Sequence, residues 1–119
     1  MGFRFKVRGR GVRRTPGEMN KTEALYALSL VAEKSAGTIA EFWFEAMTFK
    51  LAPDTRYTPD FMVMLPDGLI EFREVKGFME DDAWVKIKVA AEKFPFAFSL
   101  IRKRAKKDGG GWDVKQVQA

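Results

Sequence analysis

The chain has 119 residues, a net charge of +5 and a pI near 9.6, and it contains neither cysteine nor histidine. These absences exclude disulfides, thiolate nucleophiles, Cys/His zinc sites, Ser-His-Asp triads and histidine general bases. An enzyme of this composition must work with carboxylates, lysine, tyrosine or a metal ion. At 46% hydrophobic and 13% aromatic residues the chain is globular, and the positive charge favours an anionic partner.

The length fits one domain with one core, preceded by a basic arm. Residues 1–18 form this arm, which has no acidic residue before Glu18. It could solubilise the protein, add a short strand or bind nucleic acid. Residues 19–119 are expected to form the single domain. No apolar run is long enough for a membrane span and no signal peptide is evident, so a cytoplasmic location is expected.

A first helix is predicted from about Lys21 to Ser35. Asn20 is a suitable N-cap, and Gly37 suits the position just after the helix. The spacing of apolar residues predicts a buried stripe on this helix. Its members are Leu25, Leu28, Val31 and Ala32.

The remaining elements complete the order α-β-β-β-β-α-β-β. Strands are predicted at 38–44 and 47–51, on both arms of a hairpin over 57–77, at 96–101 and at 112–117. The second helix begins at a cap supplied by Asp81 or Asp82 and ends near Phe94. The strand at 96–101 is nearly all apolar and is therefore expected inside the sheet. The fold class is α/β (α+β), a mixed β-sheet flanked by helices.

The turn at residues 66–68 decides the register of the hairpin. A two-residue loop would place Asp60 opposite Val75 and leave Glu74 on the other face. A three-residue loop needs a left-handed residue at its third position, which Gly68 supplies. We favour that loop, in which Asp60 lies directly opposite Glu74. The same register pairs Leu65 with Leu69, Met64 with Ile70, Met62 with Phe72 and Thr58 with Lys76.

Three charged residues, Asp60, Glu74 and Lys76, interrupt strands that are otherwise apolar. Opposed carboxylates about 5 Å apart at Cβ repel each other, and a divalent cation between them would remove the repulsion. Mg²⁺, or Mn²⁺ in its place, prefers carboxylate oxygen and keeps waters for a substrate phosphate. Alternatively, Asp60 caps a turn while Glu74 and Lys76 are solvated edge residues. We favour the metal site because all three residues share one face.

The order of these motifs resembles the PD-(D/E)xK nuclease superfamily, which has the restriction-endonuclease-like fold. Pro59-Asp60 matches the first half of the motif, and Glu74-Val75-Lys76 with the following Gly77 matches the second. The stretch 57–104 is also similar to phage Holliday-junction resolvases of the endonuclease I type. The chain is shorter than is typical of that group and shows no long bridge before the Pro-Asp strand.

The resemblance implies roles for five residues. Asp60 and Glu74 would hold Mg²⁺, with the backbone carbonyl of Val75 as a further ligand. Lys76 would orient or help deprotonate the attacking water and offset charge on the phosphate. Glu23 would be an additional acidic residue of the site. Glu23 also fits the third helical position of a capping box, and the two interpretations are compatible.

Basic side chains are the candidates for DNA contact, because neutralised phosphates add salt-dependent affinity without sequence readout. They are Arg8, Arg10, Arg13 and Arg14 in the arm, Lys86 and Lys88 in the second helix, and Arg102, Lys103, Arg104, Lys106 and Lys107 after the apolar strand. Lys86 and Lys88 could instead form a solvated helix face. Trp43 and Trp84 are predicted in the core rather than stacked on bases, while the place of Trp112 stays open.

Three functions compete. The first is a magnesium-dependent DNA endonuclease that hydrolyses phosphodiester bonds. Its substrate stays open among Holliday junctions or other branched DNA, flaps, nicks and plain duplex, and its role in a phage context among DNA recombination, replication, packaging and breakdown of host DNA. A homodimer would suit this function, since cutting two strands usually needs two active sites. The second is a non-catalytic basic DNA-binding or phage-assembly protein in which the hairpin is only structural. The third is an RNA-processing nuclease on the same scaffold.

Overall fold

The computed structural model describes residues 17–76 and 81–117. The predictions for Arg8, Arg10, Arg13, Arg14 and Gly77 lie outside these described residues. The choice of Asp81 or Asp82 as a helix cap depends on two side chains that are not described either. The described residues form an α+β fold of a five-stranded mixed sheet, a two-stranded sheet and two α-helices. None of the helices in these ranges is long and apolar enough to cross a membrane.

The elements, in chain order, are α1 (Lys21–Ala36), β1 (Glu41–Phe44), β2 (Phe49–Ala52), β3 (Thr55–Tyr57), β4 (Phe61–Met64), β5 (Ile70–Lys76), α2 (Asp81–Lys93), β6 (Ala97–Lys103) and β7 (Trp112–Gln116). A short 3-10 turn, Lys106–Asp108, lies between the last two strands. The predicted order lacked one strand, because β3 was taken as part of the strand that follows it.

Helix α1 begins and ends where the sequence predicts. The side chain of Asn20 accepts a hydrogen bond from the Glu23 amide at 2.8 Å, and Glu23 Oε1 accepts one from the Asn20 amide at 2.9 Å. This reciprocal pair is the predicted capping box. At the other end Gly37 adopts the left-handed conformation, with φ of 83°, which only glycine adopts without strain.

The predicted buried stripe of α1 is wrong. Its four members, Leu25, Leu28, Val31 and Ala32, are exposed. The helix instead packs on the sheet through Tyr26, Ala27 and Leu30, with Glu23 also buried. The Tyr26 ring lies edge-on to Phe61 with centroids 5.7 Å apart.

Arg73 on β5 explains which side of α1 faces the sheet. Its Nη1 donates to the Tyr26 hydroxyl at 2.9 Å and to Glu33 Oε2 at 3.2 Å, while its Nε donates to Glu71 Oε1 at 2.6 Å. The buried side of α1 therefore carries polar atoms that satisfy a half-buried guanidinium. A pattern based on hydrophobicity alone selects the neighbouring, more apolar side.

The five-stranded sheet has the order β1-β4-β5-β6-β7. Only β5 and β6 run parallel among these neighbours, and the other pairs are antiparallel. Helix α2 makes the crossover that a parallel pair requires. The apolar strand β6 lies between β5 and β7, as its composition predicted.

The segment from Tyr57 to Phe61, predicted as the start of one strand, is divided between two sheets. Tyr57 ends β3, which pairs with β2, and Phe61 begins β4, which pairs with β1 and β5. Thr58, Pro59 and Asp60 belong to neither strand. Proline has no N–H group to donate to a ladder, so it favours such an interruption. The break leaves Asp60 just before β4.

The predicted three-residue loop is confirmed, and so is its register over Phe61–Met64. The predicted strand pairs of Asp60 with Glu74 and of Thr58 with Lys76 do not form, because residues 58–60 lie outside β4. Met62 pairs with Phe72 and Met64 pairs with Ile70. The Leu65 amide donates to the Leu69 carbonyl at 2.8 Å, which closes the loop. Gly68 has φ of 90°, the left-handed conformation that its position requires.

Two apolar clusters pack on opposite faces of the sheet. The cluster under α1 includes Phe61, Val63, Val75 and Ile101, and the cluster under α2 includes Phe72, Phe98, Leu100, Ile87 and the small-sheet residues Phe49, Leu51 and Tyr57. Because side chains alternate along a strand, Glu74 and Lys76 share the α2 face with Phe72. The charged residues thus continue an apolar row at the far end of β5.

Candidate active site

Asp60 lies at the break between β3 and β4 and is almost fully buried, with 1% of its surface exposed. Its Oδ2 accepts a hydrogen bond from the Val75 amide at 2.8 Å. Its own carbonyl accepts one from the Glu45 amide at 2.8 Å. Asp60 is therefore held between the end of β5 and the end of β1, which fixes the position of its carboxylate.

Glu74 is the second buried carboxylate, with 5% of its surface exposed. Its Oε1 accepts hydrogen bonds from the Tyr57 hydroxyl at 3.0 Å and from the Asp60 amide at 3.2 Å. Its Oε2 lies 3.1 Å from the ammonium nitrogen of Lys76. The structure thus brings Asp60, Glu74 and Lys76 together, as the hairpin register predicted.

The surroundings of Glu74 disfavour the charged form of its carboxyl group. Burial, and then the neighbouring negative charge of Asp60, raise the pKa of Glu74 from 4.5 to about 7, although Lys76 and the Tyr57 hydroxyl act in the opposite direction. Burial and the charge of Glu74 also raise the pKa of Tyr57 well above its ordinary value. Tyr57 therefore remains a hydrogen-bond donor to Glu74 at all physiological pH values.

The two carboxylates fit a divalent metal ion of the magnesium class. They supply hard oxygen donors in a buried place. Burial and the nearby charge of Asp60 raise the pKa of Glu74, and a divalent cation between the two carboxylates would offset both effects. The residues that would hold the ion are Asp60 and Glu74, with the Val75 carbonyl next to them in the chain.

Glu23 has a different position. It is buried, and its Oε1 is engaged in the capping box of α1. Within residues 17–76 and 81–117, no three acidic residues lie close enough together to hold one metal ion. The role of Glu23 at the helix start is confirmed, whereas its role as an additional residue of the active site stays a prediction.

The predicted DNA-contacting residues at the end of β6 and just after it are exposed, but they do not all lie on one face of the sheet. Arg102 lies beside Lys76 in the parallel register of β5 and β6. Lys103 is the next residue on the strand and so points to the opposite face. Arg104 makes an ion pair with Asp113 on β7. Lys106 and Lys107 lie further on, in the 3-10 turn.

The three tryptophans are all half-buried. Trp112 packs on the α1 face, where its Nε1 donates to Ser29 Oγ at 3.0 Å and its ring lies edge-on to Tyr26. Trp84 is on α2, and its ring is approached by the ammonium groups of Lys88 and Lys115. Trp84 was predicted to lie in the core, but its ring is only half-buried and also contacts two lysine side chains.

Sequence reasoning assigned no role to Tyr57, although its hydroxyl contacts the Glu74 carboxylate directly. The signal was present: a tyrosine three residues before Asp60, with Thr58 and Pro59 between them. Its contact with Glu74 depends on the break after β3. The sequence analysis predicted one continuous strand there, and so it did not predict the contact. Lys115 was missed because its partner, Trp84, lies on a distant element.

Comparison of the chain with protein-family models, curated proteins and solved structures finds no match. The resemblance to PD-(D/E)xK nucleases consequently rests on the residues of the motif and on their arrangement at the end of the hairpin.

Proposed function

We propose that the protein is a metal-dependent DNA endonuclease that hydrolyses phosphodiester bonds. The observation that supports this most is the meeting of two buried carboxylates, Asp60 and Glu74, with the ammonium of Lys76 3.1 Å from Glu74 Oε2. Buried charges are costly to keep unless they are paired or bind metal, and such perturbed groups concentrate at functional sites. A nuclease also agrees with a chain that has no histidine or cysteine.

Each residue of the site has a defined part in this proposal. Mg²⁺ held by Asp60 and Glu74 would lower the pKa of a bound water and stabilise charge on the phosphate. The Val75 amide and the Tyr57 hydroxyl each hold one carboxylate oxygen and so orient the two acids. Lys76, part-exposed at the rim, can offer its ammonium to a phosphate oxygen or to the attacking water.

DNA as the substrate is supported by the charge of the chain and by the position of basic residues near the site. The net charge is +5, and Arg102 lies next to Lys76 on the neighbouring strand. Such side chains neutralise phosphates without reading the sequence. A preference for branched DNA and a phage context come from the motif resemblance, and a homodimer comes from the need for two active sites to cut two strands. They are part of the proposal on those grounds.

A non-catalytic DNA-binding protein is the second candidate, and one observation favours it. Both oxygens of Glu74 and one oxygen of Asp60 already have protein partners without a metal ion. The cluster could then be a structural device that ties the end of β5 to the break before β4. If this alternative holds, replacing Asp60 or Glu74 with an uncharged residue leaves DNA binding intact and changes no enzymatic activity.

A cleavage assay separates the two candidates. Labelled four-way junction, flap and linear duplex DNA would be incubated with the protein in magnesium, in manganese and in EDTA. The variants are Asp60→Asn and Glu74→Gln, which keep the shapes of the side chains. Glu92→Gln makes the same chemical change at an exposed position on α2 and is the matched control.

The proposal expects metal-dependent cutting by the wild type and by Glu92→Gln, with a loss of at least a hundredfold in both site variants. The preferred substrate would show whether branched DNA is selected. If no DNA is cut in either metal while the protein still binds it, the non-catalytic candidate stands. Equal cutting by the wild type and both site variants would reject this active site.

A further inference from the structure

A cavity of about 400 Å³ lies between α2 and the strands β6 and β7. It is lined by Trp84, Leu100, Arg102, Asp113, Val114 and Lys115. Its volume is in the range of small-ligand sites, about 300–1,000 Å³.

The cavity is next to the candidate active site. In the parallel register of β5 and β6, Glu74 is paired with Leu100 and Lys76 with Arg102. Neighbouring strands are about 4.8 Å apart. Leu100 packs in the same cluster as Phe72, which shares the face of Glu74. The wall of the cavity therefore begins one strand away from the carboxylates, on the same face.

The lining combines an aromatic ring with positive charge. The Lys115 ammonium nitrogen lies 4.9 Å from the centroid of the Trp84 ring, and that of Lys88 lies 5.5 Å from it. Arg102 contributes a guanidinium to the same wall. The carboxylate of Asp113, the acidic group of the lining, is engaged by Arg104. A flat aromatic surface surrounded by cations matches a nucleobase with its phosphate.

We propose that this cavity binds one unpaired nucleotide of the DNA, next to the phosphate that the active site attacks. The base takes the place of the Lys115 ammonium on the Trp84 ring, while Arg102 and the displaced Lys115 side chain hold the adjoining phosphate. The position next to a cut phosphate rests on the proposed function, whereas the nucleotide site itself does not. In a regular duplex a base is stacked on its neighbours and must be flipped out to reach the indole. The cavity therefore favours DNA with unpaired nucleotides, such as branches and flaps.

The test is a binding measurement in EDTA, which keeps it independent of cleavage. Fluorescence anisotropy would follow a labelled thymidine hexanucleotide and a labelled 12-base-pair duplex. The variants are Trp84→Ala, Trp84→Phe and Arg102→Gln. Lys50→Gln, which removes a charge from the exposed face of β2 outside the cavity, is the control for net charge.

Stacking on an aromatic side chain contributes enough affinity that its removal weakens binding about tenfold or more. We expect that loss for the hexanucleotide with Trp84→Ala and Arg102→Gln, and a change of less than about threefold with Trp84→Phe or Lys50→Gln. Duplex affinity should change less than about threefold with Trp84→Ala. Unchanged hexanucleotide binding in Trp84→Ala, or equal losses for both DNAs, would overturn the proposal.

Tryptophan emission keeps the proposal testable if Trp84→Ala does not fold. The hexanucleotide should quench the emission of the wild type and of Trp43→Phe, and the quenching should disappear in Trp84→Phe. Quenching that persists in Trp84→Phe would overturn the nucleotide site. Asp60→Asn separates this result from the nuclease proposal, since it should bind the hexanucleotide like the wild type while cutting no DNA.

Discussion

Replacement of Glu74 by glutamine should make the protein more stable at pH 8 in the absence of divalent metal. The rise in the pKa of Glu74 from 4.5 to about 7 corresponds to roughly 3 kcal/mol of destabilisation when the carboxylate is charged. Glutamine keeps an acceptor for the Tyr57 hydroxyl and loses the ion pair with Lys76, which has access to water. The expected net gain is about 1–3 kcal/mol.

The stabilisation by Glu74→Gln should increase as the pH rises. A carboxyl group with a raised pKa binds its proton more tightly in the folded chain than in the unfolded chain. The stability of the wild type should therefore fall as the pH rises from about 4.5 to about 7, and the penalty should be complete above that range. In Glu74→Gln this fall should be absent.

Urea denaturation in EDTA, followed by circular dichroism between pH 4.5 and 8, measures both statements. Glu92→Gln is the control, because its side chain is exposed on α2 and should leave the pH profile unchanged. The reasoning is refuted if Glu74→Gln is no more stable than the wild type at pH 8. It is also refuted if the difference between the two proteins is the same at pH 5 and pH 8.

Magnesium extends the same experiment. An ion held by both carboxylates binds only the folded chain and stabilises it by about 2.7 kcal/mol at a hundred times its dissociation constant. The midpoint of urea unfolding of the wild type should rise with magnesium at pH 8, and that of Glu74→Gln should not. Equal responses of the two proteins would mean that the carboxylate pair is not the binding site.

Three further predictions concern the environment of the site and the packing of α1. Tyr57→Phe removes a hydrogen bond to the buried Glu74 carboxylate and should raise the pKa of Glu74 above about 7, which carboxyl NMR titration would detect. Leu30→Ala should cost about 2–5 kcal/mol and Leu28→Ala less than about 1 kcal/mol in urea denaturation, because Leu30 is fully buried and Leu28 is 61% exposed. Arg73→Ala strands two acidic partners and a tyrosine hydroxyl and should cost about 2–4 kcal/mol in the same measurement; a loss below 1 kcal/mol would contradict the account of how α1 is oriented.

Turns and helix caps were predictable where the local backbone geometry requires one particular type of residue. The loop at residues 66–68 needs a left-handed residue, and the single glycine there sets the register of β4 against β5, at the end of which Asp60 contacts Glu74. The capping box of α1 was predictable for the same reason, since its two hydrogen bonds join residues three positions apart. Such interactions join residues that are only a few positions apart in the sequence.

The orientation of α1 was not predictable from its own sequence. The helix has two adjacent sides, and the one that is more apolar, with Leu25, Leu28 and Val31, is exposed. The buried side carries a tyrosine hydroxyl and a glutamate that engage Arg73, a residue about forty positions away. Hydrophobic periodicity cannot report a polar contact whose partner is elsewhere in the chain.

The amino-acid sequence by itself determined the chemistry that is open to this protein: carboxylates and lysine without histidine or thiol, a basic surface, and a hairpin whose glycine sets its register. Tertiary structure alone decided that the chain breaks after Tyr57, so that Tyr57 donates to Glu74 from a second sheet, and that Trp84 meets Lys115 beside the candidate active site. The physical reason is distance along the chain. Turns and caps follow from neighbouring residues, whereas burial, raised pKa values and cavities arise only when remote segments pack together.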